Sequence, residues 1–181
     1  MSKKITQIKI IRTIYLILLR SVPWLALYNG GRASGSIDPS SLGTAATLCA
    51  TIRAVQLSTP AAQPLVYIGN FTNEEGFGFG LDENFNIAVW QGRAGSTSSS
   101  LKVDPDVTNF VCVAYVFNSD STQVRVFAYQ PSFANELLTI GTAKVAPTGR
   151  ISVGGWAENT YTGFINNVQV ILSGGIITNV R

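Results

Sequence analysis

The feature that most limits how this chain can fold is a series of short apolar segments separated by turn sequences. After residue 22 these segments recur about every 8–15 residues, a spacing typical of all-β sandwiches and barrels. Asn29-Gly30-Gly31 and Gly174-Gly175 are two of the turn sequences between them. No later segment has the length and period of a long amphipathic helix. The pattern therefore predicts an all-β, antiparallel β-sandwich or jelly roll.

Strands are predicted at residues 24–28, 47–55, 64–69, 77–81, 86–91, 109–117, 123–129, 150–154, 161–171 and 176–180. The segment 109–117 is apolar at both parities, which predicts a central strand covered on both faces. Residues 123–129 alternate between apolar and polar, which predicts one face open to water. The Gly- and Ser-rich residues 92–100 are predicted to form a flexible loop.

One irregularity is expected late in the chain. Ile165 and Val168 cannot share a face in a regular strand, because successive side chains point to opposite sides. A β-bulge at Asn166-Asn167 would bring both side chains onto the inner side.

Residues 1–21 form a separate segment, a basic and apolar N-terminal arm. Residues 1–20 hold five basic residues and no acid. The remaining residues therefore hold eight basic and ten acidic residues, a net charge of −2. The body offers no positive field for nucleic acid. The apolar run at 13–19 is far shorter than the roughly 20 residues of a membrane span, so no transmembrane span is expected.

The arm is expected to bind other subunits of a large assembly, because an apolar segment alone in water favours aggregation. The alternatives are packing on its own domain, or a role as a signal peptide or anchor. Its spacing leaves open whether the arm is a helix or a strand. The side chains expected in the contact are Ile8, Ile10, Ile11, Ile14, Leu16 and Leu18.

The residue types limit the possible chemistry. The chain has no His, which removes the commonest general base and zinc ligand. Cys49 and Cys112 lie in separate apolar segments and cannot form a CxxC metal site. We expect both to be reduced and buried, and able to pair only if their strands are neighbours. Charged residues make up 13% of the chain, about half the usual share, which suits a virion or extracellular assembly.

Three parts of the chain resemble the concanavalin A-like superfamily, and within it the laminin-G-like domains. Residues 25–31 resemble its opening strand and glycine turn, and residues 65–90 its consecutive hairpins with a Gly-x-Gly strand. Residues 151–170 resemble its late aromatic, x-Gly-x-Ile and alternating Val-rich pattern, with Asn166-Asn167 in place of the usual acidic pair. The resemblance implies a concanavalin A-like sandwich over residues 22–181. This fold carries enzymes, lectins and structural modules alike.

The acidic residues do not match those of the superfamily's hydrolases, which carry carboxylates close together in a Glu-x-Asp-x-x-Glu-like run. Glu74-Glu75 and Asp82-Glu83 are adjacent pairs in turn sequences. Glycoside hydrolysis needs two carboxyl groups that face each other across the sugar. We therefore expect no catalytic residue and no enzyme activity.

No cofactor and no metal site are expected, with calcium as the alternative because many relatives bind it. Calcium needs six to eight oxygen ligands, several of them charged. The oxygens on offer belong to Asp82, Asn84, Asn86, Asp104 and Asp106. A turn closed by Asp and Asn side chains explains residues 82–86 equally well.

Carbohydrate recognition calls for an exposed aromatic face beside amide or carboxylate groups. The residues that fit this best are Trp156, Glu158, Asn159 and Tyr161, between two late strands, with Trp90 at the end of another strand. The alternative is that Trp156 covers the core and the loop is only a turn.

Two functions of different class follow from these features. The first is a non-catalytic structural protein: a virion coat, capsid decoration, fibre or surface-layer component that forms homo-oligomers through its arm. The alternative is a lectin-like module for cell-surface glycans, with glycoside hydrolase a distant third. Both leading functions place the chain on a virion or an extracellular surface.

Overall fold

The structure, a computed structural model, describes residues 24–28, 31–70, 75–92, 96–130, 132–141, 149–156, 159–173 and 177–180. These residues form β-strands and one short 3-10 turn, Pro39–Ser41. The strands are β1 (Leu25–Leu27), β2 (Ala33–Ser36), β3 (Ala45–Ala54), β4 (Gln63–Ile68), β5 (Phe77–Leu81), β6 (Asn86–Gln91), β7 (Ser96–Lys102), β8 (Asn109–Phe117), β9 (Thr122–Gln130), β10 (Ser132–Ile140), β11 (Arg150–Val153), β12 (Gly155–Trp156), β13 (Asn159–Thr160), β14 (Gly163–Leu172) and β15 (Ile177–Val180). Within these ranges, no helix is long and apolar enough to cross a membrane.

The strands form two antiparallel sheets that pack face to face, as the sequence predicts. In the described chain the larger sheet has the order β1-β14-β3-β8-β9-β10, with β15 also paired to β14. The smaller sheet has the order β2-β11-β4-β5-β6-β7, and β12 and β13 form a separate hairpin. The result is a jelly-roll β-sandwich.

The core between the sheets is filled by the inward side chains of both. Tyr115 of β8 packs on Phe77 of β5, with ring centroids 4.9 Å apart. Its hydroxyl donates a 2.5 Å hydrogen bond to the Gly78 carbonyl of the opposite sheet. Burial raises the pKa of Tyr115 well above its usual range, so the donor stays a neutral phenol. Each large apolar side chain that is fully buried contributes about 1.5–3 kcal/mol, which makes this core the main source of stability.

Most strands lie where the apolar segments predict them. β5, β6 and β8 match the predicted bounds to the residue, and β9 alternates between buried and exposed side chains. The register between β14 and β3 shifts between Asn166 and Gln169, which confirms the predicted bulge. Ile165 and Val168 are consequently both buried.

Two predictions about strands are wrong, and several strands are not predicted, of which β10 is the longest. Residues 96–102 form β7, which overlaps the loop predicted at 92–100, because Ser99 is buried and pairing with β6 overrides a loop-like composition. Residues 132–140 form β10, which the sequence does not predict because its Ala, Asn and Glu residues are poor strand formers. β8 is central, but its outer face is only partly covered, and Val116 is exposed.

The expectation that the two cysteines are reduced is also wrong. Cys49 in β3 and Cys112 in β8 stand directly opposite each other, with Cα atoms 4.1 Å apart, and form a disulfide. Directly opposite residues of adjacent antiparallel strands come this close where no hydrogen bonds join them. The sequence analysis allows the two cysteines to pair only if their strands are neighbours. Which strands are neighbours depends on the whole fold and is not evident from the local sequence.

Candidate functional site

The loop predicted to bind carbohydrate lies at the β12–β13 hairpin. Trp156 and Asn159 pair across this hairpin, and Glu158 lies outside the described residues. Tyr161 is fully buried, and its hydroxyl donates a 3.1 Å hydrogen bond to the Phe164 carbonyl. Burial raises the pKa of Tyr161. Tyr161 is therefore a core residue that presents no ring face to a ligand, while binding through the other three residues stays a prediction.

Trp90, the fifth predicted contact, is also buried. It packs with Tyr67 and Ala88 in a small cluster on the outer side of the smaller sheet. Gly78 pairs with both Tyr67 and Trp90, and a Cβ at this glycine would lie 2.6 Å from the Tyr67 ring. The Tyr67 hydroxyl donates a 2.9 Å hydrogen bond to the Glu75 carbonyl. The glycine leaves the space that the Tyr67 ring fills, so this aromatic cluster stabilises the sheet instead of facing a ligand.

The turn between β5 and β6 uses its oxygen atoms internally. Asp82 Oδ1 accepts hydrogen bonds from the backbone N–H groups of Asn84 and Asn86, at 2.8 and 2.9 Å. Asp82 Oδ2 accepts a 3.0 Å bond from the Asn86 side chain. Burial opposes the charge of Asp82, but these hydrogen bonds and one from Ser98 outweigh it and lower its pKa. Over the described parts of the chain, no group of three or more His, Cys, Asp or Glu residues could hold a metal ion.

A group of exposed aromatic side chains lies on the outer side of the larger sheet, near β10. Tyr129 of β9 stands between Phe110 of β8 and Phe133 of β10 in one row across the sheet. Tyr129 is 54% exposed, Phe133 63% and the nearby Leu137 51%. Phe127 packs against Phe133 with ring centroids 5.9 Å apart. We call these five residues the aromatic face.

The pleat of β9 explains why these rings face water. Alternate residues point to opposite sides of a sheet, so Phe127 and Tyr129 share the outer side with Gln123 and Arg125. The sequence holds this signal, because the wet face predicted for 123–129 includes both aromatic residues. It is easily overlooked, since large aromatic residues are expected inside. Phe133 has no such signal, because β10 itself is not predicted.

Hydrogen-bond donors lie beside the aromatic face, whereas acidic side chains are absent from the outward positions of the described strands around it. Arg125 donates a 2.9 Å hydrogen bond to Asn135 Oδ1 in the neighbouring strand. The outward positions of β3, β8, β9, β10 and β14 include Arg53 and Arg125 but no acidic residue. The aromatic face therefore presents apolar rings beside neutral and positively charged polar groups.

Glu136 joins the two sheets at the same edge. Its carboxylate accepts hydrogen bonds from the backbone N–H and the hydroxyl of Ser100 in β7, at 2.6 and 2.7 Å. A cleft of about 200 Å³ opens between the sheets nearby, and its lining is Leu101, Lys102, Asp104, Ala128, Ser132 and Ala134. The contact between Glu136 and Ser100 ties β10, which carries Phe133, to β7 of the smaller sheet.

Comparison with known proteins finds similar folds and no similar sequence. No protein-family model and no curated protein matches this chain. The structure is similar to the LG1-3 region of the laminin alpha2 chain, with a TM-score of 0.58 and 10% identity over 82% of this chain and 30% of that chain. It is similar to the CBM40 of Ruminococcus gnavus IT-sialidase bound to alpha2,3 sialyllactose, with a TM-score of 0.51 and 20% identity over 75% of this chain and 81% of that one.

A third similar structure is the PL-14 alginate lyase from Aplysia kurodai, with a TM-score of 0.51 and 11% identity over 73% of this chain and 71% of that chain. Together these similarities show the fold, an antiparallel jelly-roll β-sandwich like that of the three structures. This is the fold that the resemblance in sequence implied.

Proposed function

We propose that this chain is a non-catalytic carbohydrate-binding module and that its ligand lies on the aromatic face. The observation that carries the proposal is the pair Tyr129 and Phe133, directly opposite each other and each more than half exposed. A sugar ring presents an apolar C–H face that packs on an aromatic ring, while its hydroxyl groups need polar partners. Arg125 and Asn135, one strand apart and hydrogen-bonded to each other, supply such partners.

The similar structures support a binding role of this kind. One of them is a carbohydrate-binding module bound to a sialylated trisaccharide, and another is a region of laminin. The lyase among them shows that the fold also carries catalysis. Glycoside hydrolysis on the aromatic face would need two facing carboxyl groups, whereas the outward positions of its strands hold no acid. The proposed binding mode needs no metal ion, because rings, amides and a guanidinium make the contacts.

The proposed location is an extracellular or virion surface. The disulfide between Cys49 and Cys112 supports it, because disulfides persist in oxidising surroundings and are rare in reducing ones.

A glycan array that carries neutral and sialylated oligosaccharides tests the function, with alpha2,3 sialyllactose as the first probe in solution. We expect Tyr129→Ala and Phe133→Ala each to weaken binding about tenfold, as loss of an aromatic contact of about 1.5 kcal/mol does. Val107→Ala is the matched control, an exposed apolar residue outside the aromatic face. Unchanged binding in both aromatic variants, together with loss in Trp156→Ala, would move the site to the β12–β13 hairpin.

Assembly through the N-terminal arm is the second candidate function, in a virion coat, decoration or fibre protein or in a surface layer. It is favoured by the composition of the arm, which combines five basic residues with a run of Ile and Leu. Carbohydrate binding and assembly are compatible, because a subunit of a surface assembly can present the aromatic face outward.

A further inference from the structure

The edges of the two sheets differ in how well they are protected. At one end of the larger sheet, β14 is flanked by β1 and β15, of three and four residues. One end of the smaller sheet is β2, with four residues. At its other end, β7 has the N–H of Ser100 bonded to Glu136. Short edge strands and bonded edge groups offer little to another chain.

β10 is different because it is a long and regular edge strand. It pairs with β9 through nine consecutive residue pairs without a bulge. No strand of the described chain pairs with its other side. It contains neither Pro nor Lys, which often block such edges. Its free side therefore presents a row of backbone N–H and C=O groups to which another strand can bond, beside the exposed side chains of Phe133 and Leu137.

The N-terminal arm has the sequence of a strand that would fill this edge. The even-numbered residues from 8 to 18 are all Ile or Leu except Arg12, so an extended arm carries one apolar face. Added strands bind through main-chain hydrogen bonds and through alternate side chains.

We propose that residues 8–18 of a second copy of this chain add as a strand to the free edge of β10. Eleven extended residues span about 36 Å at roughly 3.3 Å each, which exceeds the length of β10. The Ile and Leu side chains of the added strand lie beside Phe133 and Leu137, where cross-strand apolar pairs stabilise a sheet.

The register of the larger sheet favours a second copy over the chain's own arm. Leu25 pairs with β14 at the opposite end of the sheet. Trp24 therefore lies level with the row that contains Tyr129 and Phe133. A chain's own arm would cross five strand spacings, about 24 Å, over the aromatic face. An arm from another copy leaves that face open to a ligand, so this choice rests on the proposed function.

Native mass spectrometry of the full-length chain tests the proposal with two variants. The arm variant Ile11→Pro/Ile14→Pro removes one backbone donor from each side of the extended arm, so one of the two is lost on the side that faces β10. Ser2→Pro is its control. The edge variant Leu137→Lys/Thr139→Lys places positive charge beside the cationic arm, and Val107→Lys is its control. We expect the wild type and both controls to form dimers or larger species, and each variant alone to assemble at least tenfold more weakly.

An equimolar mixture of the two variants is the decisive sample. The arm of the edge variant can fill the intact edge of the arm variant, so heterodimers should form and show that both variants are folded. A monomeric wild type, an arm variant that assembles like the wild type, or a mixture without heterodimers would each overturn the proposal. Binding of alpha2,3 sialyllactose is measured on the wild type and on the arm variant, because both keep an unaltered aromatic face. If the arm variant loses assembly and retains binding, both proposals are supported. If assembly is intact and neither protein binds, the proposed function is overturned, and with it the reason for choosing a second copy.

Discussion

The two sheets treat the aromatic side chains on their outer sides in opposite ways. On the smaller sheet Tyr67 and Trp90 lie beside Gly78 and are buried. On the larger sheet Tyr129 and Phe133 stand on strands that contain no glycine, and more than half of each side chain is exposed. A glycine between two aromatic residues leaves space for their rings to pack against the sheet, where they add stability. On strands without a glycine the rings stay exposed to solvent, where they can contact a ligand.

Among the variants that test this difference between the two sheets, truncation of a buried ring should change the free energy of unfolding most. Trp90→Ala should lower the free energy of unfolding by about 3–5 kcal/mol, because it leaves a cavity in a packed cluster. Phe133→Ala, its exposed counterpart, should lower it by less than about 1 kcal/mol. Urea titrations followed by circular dichroism measure both. Equal losses would mean that the two outer sides do not differ as described.

The disulfide ties two central strands of the larger sheet, on the same side of the sheet as the aromatic face. Removing it with Cys49→Ala/Cys112→Ala should cost about 2–4 kcal/mol, because the bridge closes a long loop in the unfolded chain. Thermal melts with and without dithiothreitol provide the control, since the reductant should lower the melting temperature of the wild type and leave that of the variant unchanged. A wild type that is insensitive to reductant would restore the expectation of free thiols.

A substitution at Gly78 tests whether the Tyr67 ring needs the space that this glycine leaves. Gly78→Ala should cost about 2–3 kcal/mol, because the added Cβ would lie 2.3 Å from the Val66 carbonyl and 2.6 Å from the Tyr67 ring. Gly35→Ala is the matched control, since an added Cβ there meets nothing within 4 Å. We expect that control to be neutral or slightly stabilising. A tolerated Gly78→Ala would show that the Tyr67 ring does not need the glycine.

A smaller effect is expected at the turn that joins β5 to β6 in the smaller sheet. Asp82→Ala should cost about 1–2 kcal/mol at neutral pH, because the hydrogen bonds from Asn84, Asn86 and Ser98 lose their acceptor. The folded-state pKa of Asp82 lies below its usual 3.8. Its charge therefore stabilises the fold above pH 3.8, and this contribution is lost as the pH falls through the lowered pKa.

Unfolding at pH 7 and at successively lower pH below 4 measures this dependence. The gap between wild type and Asp82→Ala should narrow as the pH falls, while Glu83→Ala, in the same turn, should stay close to the wild type throughout. A gap that is independent of pH would mean that the carboxylate charge plays no part.

Most strands of the fold can be predicted from the sequence, because the residues that indicate them are neighbours in the chain. Apolar segments and turn sequences locate β5, β6 and β8, and the conflict between Ile165 and Val168 locates the bulge. The sequence does not predict β10, because residues such as Ala134 and Glu136 have no strand preference of their own. They form a strand only because they pair with β9.

The candidate binding site is harder to predict from the sequence, because the exposure of an aromatic side chain depends on neighbours that are far away in the chain. Trp90 and Tyr161 have the composition expected of carbohydrate contacts, yet packing buries both. Tyr129 and Phe133 become a surface only when β9 and β10 are placed at the end of the larger sheet. The disulfide has the same origin, since Cys49 and Cys112 meet through strand order alone.

Hydroxyl-radical footprinting with mass spectrometry tests most directly the claim that the exposed rings of the larger sheet are the binding surface. The chain is labelled alone and in the presence of saturating alpha2,3 sialyllactose, or of the best glycan from the array. We predict that labelling of Tyr129 and Phe133 falls by at least about half when the glycan is bound, as burial under a ligand requires, while labelling of Tyr28 and Val107 stays constant. Protection of Trp156 with Tyr129 and Phe133 unchanged would contradict the account.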